Sequence, residues 1–234
     1  MKPPIIICGA HGGGTSYVTK LLRWSGLFVG NDAGSKYDRK CHESEVFMKT
    51  NCSIMSAVFN DSEMMRENSW NSYPEFLKRA DLIDQVDVAI NKGSLLDAYT
   101  GNNLSLLDSI WAWKDPRNSV TLPVWKAVFP GARILVVNRT WLPEMKNENP
   151  KSPSGLWFKK SSSAHVRKCY MQPPGIEPDD DVKVAEFNKV ITSLESFNEI
   201  LEWIGLDVLT NKEYNELLLN TSIEKEEIRS TNEV

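Results

Sequence analysis

Residues 5–22 constrain the fold more than any other stretch of the chain. Ile5-Ile6-Ile7-Cys8 is an unbroken apolar run, largely β-branched, that stops at Gly9. A run of that kind reads as a strand buried on both faces, as in a parallel sheet. It leads into Gly9-Ala10-His11-Gly12-Gly13-Gly14-Thr15-Ser16, and then into a helical period with Val18, Leu21, Leu22 and Ser25 on one face. Gly26 is placed to end that helix, so the spacing predicts a helix over 15–27. Three consecutive glycines let successive N–H groups turn inward on an anion without Cβ clashes. The helix start adds unpaired N–H groups and the positive end of a dipole. Gly12, Gly13, Gly14, Thr15 and Ser16 are therefore candidates for holding a phosphate. Gly9 and Gly14 have the spacing of the nucleoside-triphosphate loop G-x-x-x-x-G-K-[ST], and Ser16 fits its last position. Thr15, however, stands where that loop needs its lysine. A conventional ATPase or GTPase is disfavoured, and the loop suits a single terminal phosphate.

The rest of the chain alternates strand and helix, which is the pattern of a parallel sheet with crossover helices. Helices are expected over 43–59, 118–129 and 193–205, with helical patches near 73–83 and 91–99. Strands are expected over 109–114, 132–138 and 182–187. The stretch 28–41 is rich in turn residues, 144–155 is polar and proline-bearing, and the charged tail over 224–234 reads as frayed. At 234 residues, with 41% hydrophobic and 25% charged residues, the chain fits a single α/β domain spanning 1–234. The net charge of −4 argues against a nucleic-acid partner. No apolar run reaches the 18 residues of a membrane span, and the 5–8 run is too short for a secretory signal. The expectation is a cytoplasmic protein with neither a nucleic-acid nor a membrane partner. Four cysteines (Cys8, Cys41, Cys52, Cys169) and three histidines (His11, His42, His165) fall at no metal-ligand spacing, so no metal is expected and the thiols read as reduced.

A second group of charges sits at predicted strand ends. Lys114 and Arg117 lie in Trp113-Lys114-Asp115-Pro116-Arg117, and Arg139 ends the strand Val136-Val137-Asn138. In open α/β sheets the carboxyl edge is where ligands bind. Three cations there, beside a phosphate loop, suit a multiply anionic ligand.

Taken in order, these motifs resemble the sulfotransferases that use 3′-phosphoadenosine 5′-phosphosulfate, particularly the bacterial and tyrosylprotein-type branches. Their loop reads G-M-H-R-S-G-T-S where this chain has residues 9–16. The pieces Gly26-Leu27-Phe28-Val29-Gly30, His42-Glu43, Trp113 to Arg117, Leu122-Pro123-Val124-Trp125 and Phe129-Pro130-Gly131-Ala132 are similar as well, as are Glu186-Phe187 and Trp203-Ile204-Gly205-Leu206. The resemblance runs in pieces from about residue 4 to 207. It implies a three-layer sandwich with a central parallel sheet, P-loop NTPase-like, and transfer of a sulfuryl group to a hydroxyl or amine acceptor. By the same resemblance the first loop holds the 5′-phosphosulfate and Arg139 the 3′-phosphate. Asn147 takes the position of the family's serine eight residues after that arginine. Lys114 matches a lysine that stabilises the transferring group, and Glu43 matches a glutamate acting as base. His42 is the rival, because cytosolic members use histidine.

One position departs from the family: Gly12 replaces its loop arginine or lysine, and His11 is the neighbouring candidate to substitute for it. Lys20, one turn into the helix, is expected to point elsewhere. Loss of a transition-state contact costs about 2.7–4 kcal/mol. A nucleotide-binding protein without turnover is therefore the first alternative, and a P-loop kinase acting on a small metabolite the second. The acceptor, whether a small molecule, a glycan or a peptide, is not readable. The variable segments 59–108 and 146–170 are expected to shape its pocket.

Overall fold

The computed structural model describes residues 1–10, 12–31, 43–59, 80–91, 93–139 and 168–230. In chain order these form β1 (Ile5–Gly9), α1 (Thr15–Trp24), α2 (Glu45–Phe59), α3 (Ala80–Asn91) and α4 (Ser94–Thr100). A short 3-10 turn (Leu104–Asp108) then leads to β2 (Ala112–Lys114), α5 (Asn118–Val128), β3 (Arg133–Asn138) and β4 (Val182–Glu186). The chain ends with α6 (Phe187–Val190), α7 (Leu194–Ile204) and α8 (Asn211–Ser230).

Four strands make one sheet in the order β2-β1-β3-β4, with every pairing parallel. A parallel bridge from Phe28 to Trp111 extends the sheet beyond β2, and the Ala112 N–H donates to the Phe28 carbonyl at 2.9 Å. The connection out of β1 therefore runs past β2 to that edge, whereas the connection out of β3 runs the opposite way to β4. Where neighbouring strands send their chains in opposite directions, a crevice opens at their carboxyl ends. Here that switch point lies between β1 and β3.

Side chains alternate along each strand, so the sheet feeds two cores. Ile5, Ile7, Ala112, Leu135, Val137 and Ala185 pack with α1, α7 and α8. Ile6, Cys8, Trp113, Ile134 and Val136 pack with α2, α4 and α5 on the other face. Ile5, Ile6 and Ile7 are 1%, 0% and 0% exposed, which explains the unbroken apolar run; each contributes about 1.5–3 kcal/mol of burial. The second core is aromatic: Phe47 stacks on Trp113 at 4.3 Å, and Trp125 meets Trp113 edge-on at 5.1 Å.

Most sequence expectations differ from these elements only at their ends. The helix expected over 15–27 stops at Trp24, with Ser25 as its C-cap, and the strand expected over 109–114 shortens to its last three residues. The larger difference is α3, which fills 80–91 where patches were expected on either side. α8, which packs on α1, fills 211–223, where the pattern names no element, and continues to Ser230 within the tail expected to be frayed. Lys20 points to α8 and donates to the Thr221 carbonyl at 3.3 Å. Among the described residues, no helix is long and apolar enough to cross a membrane.

Candidate functional site

The turn after β1 is shaped by backbone that only glycine adopts readily. Gly12 and Gly14 have φ of 73° and 90°. At Gly14 a Cβ would also run into the Phe187 ring. The Gly13 N–H donates back to the Ala10 carbonyl at 2.9 Å, and the Val18 N–H reaches the Gly14 carbonyl at 3.0 Å. Gly14 is the N-cap and offers no side chain to the helix start. Among the described residues, the N–H groups between those two bonds, on Gly14, Thr15, Ser16 and Tyr17, meet no acceptor, as expected of a helix start without a cap. Any other residue in the left-handed conformation of Gly12 would cost about 1–2 kcal/mol.

The floor of the turn is fixed by the start of α5. Ser119 Oγ accepts from the Gly9 N–H at 2.9 Å, and Asn118 Nδ2 donates to the Ile7 carbonyl at 3.0 Å. Asn118 Oδ1 in turn accepts from Trp113 Nε1 at 3.0 Å and from Asn51 Nδ2 at 2.9 Å. Asn51 Oδ1 accepts from Thr121 Oγ1 at 2.6 Å and Trp125 Nε1 at 2.7 Å. Asn51, Asn118, Ser119 and Thr121 are all fully buried. This network links α2, α5, β1 and β2, and the sequence reading assigned none of these four residues. The one signal was their place: Asn118 and Ser119 directly follow the Lys-Asp-Pro-Arg block.

Beside the loop stand three of the expected charges. Lys114 is at the end of β2 with its side chain 0% exposed. Its Nζ donates to Ser16 Oγ at 3.1 Å and to Glu43 Oε1 at 2.9 Å. Arg117 lies 3.7 Å from the other Glu43 oxygen and donates from Nη1 to Asp115 Oδ1 at 2.9 Å. Burial works against the Arg117 charge, but Asp115, Cys52 and Glu43 outweigh it and raise the guanidinium above its ordinary value. Asp115 is fully buried, and its Oδ1 also accepts the Arg117 N–H at 2.8 Å. Burial chiefly, and Asp115 next, push the Cys8 thiol well up, so it stays protonated.

Arg139 approaches from β3, across the switch point. Its Nη1 donates to the Gly12 carbonyl at 3.2 Å, and its guanidinium lies 4.9 Å from the centre of the Phe187 ring. The structure therefore brings together Gly12, Gly13, Gly14, Thr15, Ser16, Glu43, Lys114, Arg117 and Arg139. His11, His42 and Asn147 lie outside the described residues, as do Cys41, residues 60–79 and 92 of the segment 59–108, and residues 146–167 of the segment 146–170. Among the described residues, no group of three or more His, Cys, Asp or Glu side chains is arranged to hold a metal ion.

No protein-family model, curated protein or solved structure matches the chain.

Proposed function

We propose that the protein is a sulfotransferase with a P-loop-like fold that takes 3′-phosphoadenosine 5′-phosphosulfate as donor and a hydroxyl or amine as acceptor. The observation that carries this reading is Lys114 Nζ within hydrogen-bond distance of both Ser16 on the loop and Glu43 ahead of α2. One ammonium thereby adjoins an anion cradle on one side and a carboxylate on the other. That is what in-line transfer between a phosphate leaving group and a protonated acceptor requires.

The 5′-phosphosulfate is assigned to the N–H donors at the start of α1, within residues 12–16. The 3′-phosphate is assigned to Arg139, with Asn147 as its second donor. The acceptor oxygen attacks sulfur while the bond from sulfur to the phosphate oxygen breaks. The acceptor proton goes to Glu43, with His42 as the rival base, and the developing charge is met by Lys114 and the loop N–H groups. His11 is the candidate for the charge that Gly12 does not supply. Arg117, held by Asp115, keeps the Glu43 carboxylate in place.

A nucleotide-binding protein without turnover is the second reading, favoured by the left-handed backbone at Gly12, which suits glycine better than the family's cation. Titration with adenosine 3′,5′-bisphosphate, followed by assay of the sulfated donor, separates the possibilities. Binding with turnover supports the transferase, and binding alone supports the second reading. Preference for ATP with magnesium would instead indicate a kinase.

A further inference from the structure

Glu43 precedes α2 by two residues, and its carboxylate engages two cations of the site. Oε1 accepts from Lys114 at 2.9 Å and Oε2 lies 3.7 Å from Arg117 Nη1. Their side chains are only 0% and 13% exposed, and that of Glu43 is 16% exposed. An ammonium so thoroughly removed from water is stable only with an anion beside it. Glu43 is that anion, yet it stands one ammonium away from the cradle, because the same Nζ bonds Ser16 at 3.1 Å. A charged guest settling on the loop needs Lys114 too, and two anions sharing one buried cation repel each other.

We propose that Glu43 is the resident counter-anion of Lys114, displaced from it when an anionic ligand enters the loop. The inference rests on residues 9–16 being an anion cradle. It goes beyond the base assigned above in giving Glu43 a second role: the carboxylate neutralises Lys114 and is released toward the acceptor only as the ligand takes its place. Ligand affinity is lowered by that competition.

The test compares the wild-type protein with Glu43→Gln by calorimetric titration at matched ionic strength. The two probes are inorganic sulfate and adenosine 3′,5′-bisphosphate. Displacement predicts that Glu43→Gln binds both more tightly, on the order of tenfold, the usual scale of a coupling between two sites. Sulfate should also raise the melting temperature of Glu43→Gln more than that of the wild type. Should the variant fold only in sulfate, that dependence is the same result. Unchanged or weaker sulfate binding by Glu43→Gln, with no gain in stability from sulfate, overturns the proposal. The double variant Glu43→Gln/Lys114→Met removes both charges and must lose the sulfate gain; if it keeps the gain, the proposal falls. The two readings fail separately. Tighter sulfate binding with no bisphosphate binding in either protein supports displacement and removes the nucleotide. Equal bisphosphate binding in the two proteins keeps the nucleotide and overturns displacement.

Discussion

The Ser119 hydroxyl accepts the Gly9 N–H at 2.9 Å, and through this bond the start of α5 holds the point where β1 breaks into the glycine turn. Both partners are fully buried, so neither can exchange the bond for water. Ser119→Ala leaves a buried N–H without an acceptor, at a cost of about 1–3 kcal/mol. Urea denaturation should show that loss as a lower midpoint with an unchanged slope.

Asn51 belongs to the same network, accepting from Thr121 and Trp125 and donating to Asn118. Asn51→Leu takes the acceptor from two donors on α5, Thr121 Oγ1 and Trp125 Nε1. We expect a loss of about 1–3 kcal/mol, chiefly from the buried Trp125 N–H, because Thr121 Oγ1 keeps the Arg117 carbonyl at 3.1 Å. Denaturation followed by near-ultraviolet circular dichroism should show the aromatic signal weakening, since the Trp125 indole loses its acceptor while Trp113 keeps Asn118.

Gly14→Ala tests the turn itself. The residue would sit in a left-handed conformation with its methyl against the Phe187 ring. A destabilisation exceeding the about 1–2 kcal/mol of the conformation alone is expected. Bisphosphate binding should fall as well, because Phe187 also underlies Arg139. Gly26→Ala is the comparison: its φ of 101° brings the conformational cost without a steric neighbour. It should lose stability and leave binding intact.

Arg139→Ala removes a partly exposed guanidinium whose described contacts are the Gly12 carbonyl and the Phe187 ring. Stability should change little. Calorimetry should find bisphosphate affinity lower by roughly 10- to 100-fold, the equivalent of about 1.5–3 kcal/mol for a charged hydrogen bond. Equal affinity in the two proteins would separate Arg139 from the ligand.

Alkaline conditions probe the α8 contact. Tyr214 donates to the Val190 carbonyl at 2.6 Å, and burial first, then Tyr17, raises its phenol above the ordinary 10.0. The protonated phenol is favoured by folding, so its contribution is complete below the unfolded value and is lost as the pH rises through the folded one. Denaturation midpoints measured upward from about pH 10 should fall for the wild type and fall less for Tyr214→Phe.

Some of this was legible in the chain because single residues carry the signal. α7 is bounded by Ser193, whose hydroxyl accepts the Ser196 N–H, and by Gly205 at φ 92°, as its sequence pattern predicts. β1 and β3 announce themselves because strands buried on both faces admit no polar interruption. α3 carries an apolar stripe of Ile83, Val86 and Ile90, with Asp81, Asp84 and Asp87 exposed beside it, a helical signal that the patches named on either side passed over. For α8 a signal was present and passed over. Thr210 and Glu213 form a reciprocal capping box, and Tyr214, Leu217, Leu218 and Thr221 follow at helical spacing. The charged residues of the site were legible from their place at strand ends. The buried network was not, because an asparagine inside α2 looks the same in sequence whether it meets solvent or Trp125.

Trp113 and Lys114 are consecutive on β2, so their side chains leave the strand on opposite faces. The ammonium reaches the glycine turn, while the indole lies fully buried against Phe47 with its Nε1 bound to Asn118. A change of charge at Lys114 therefore alters the electric field at a chromophore one peptide unit away, in surroundings that collisional quenchers do not reach. An anion settling beside Lys114 should thus shift the emission of this one indole among the chain's eight tryptophans, a change that Trp113→Phe should remove.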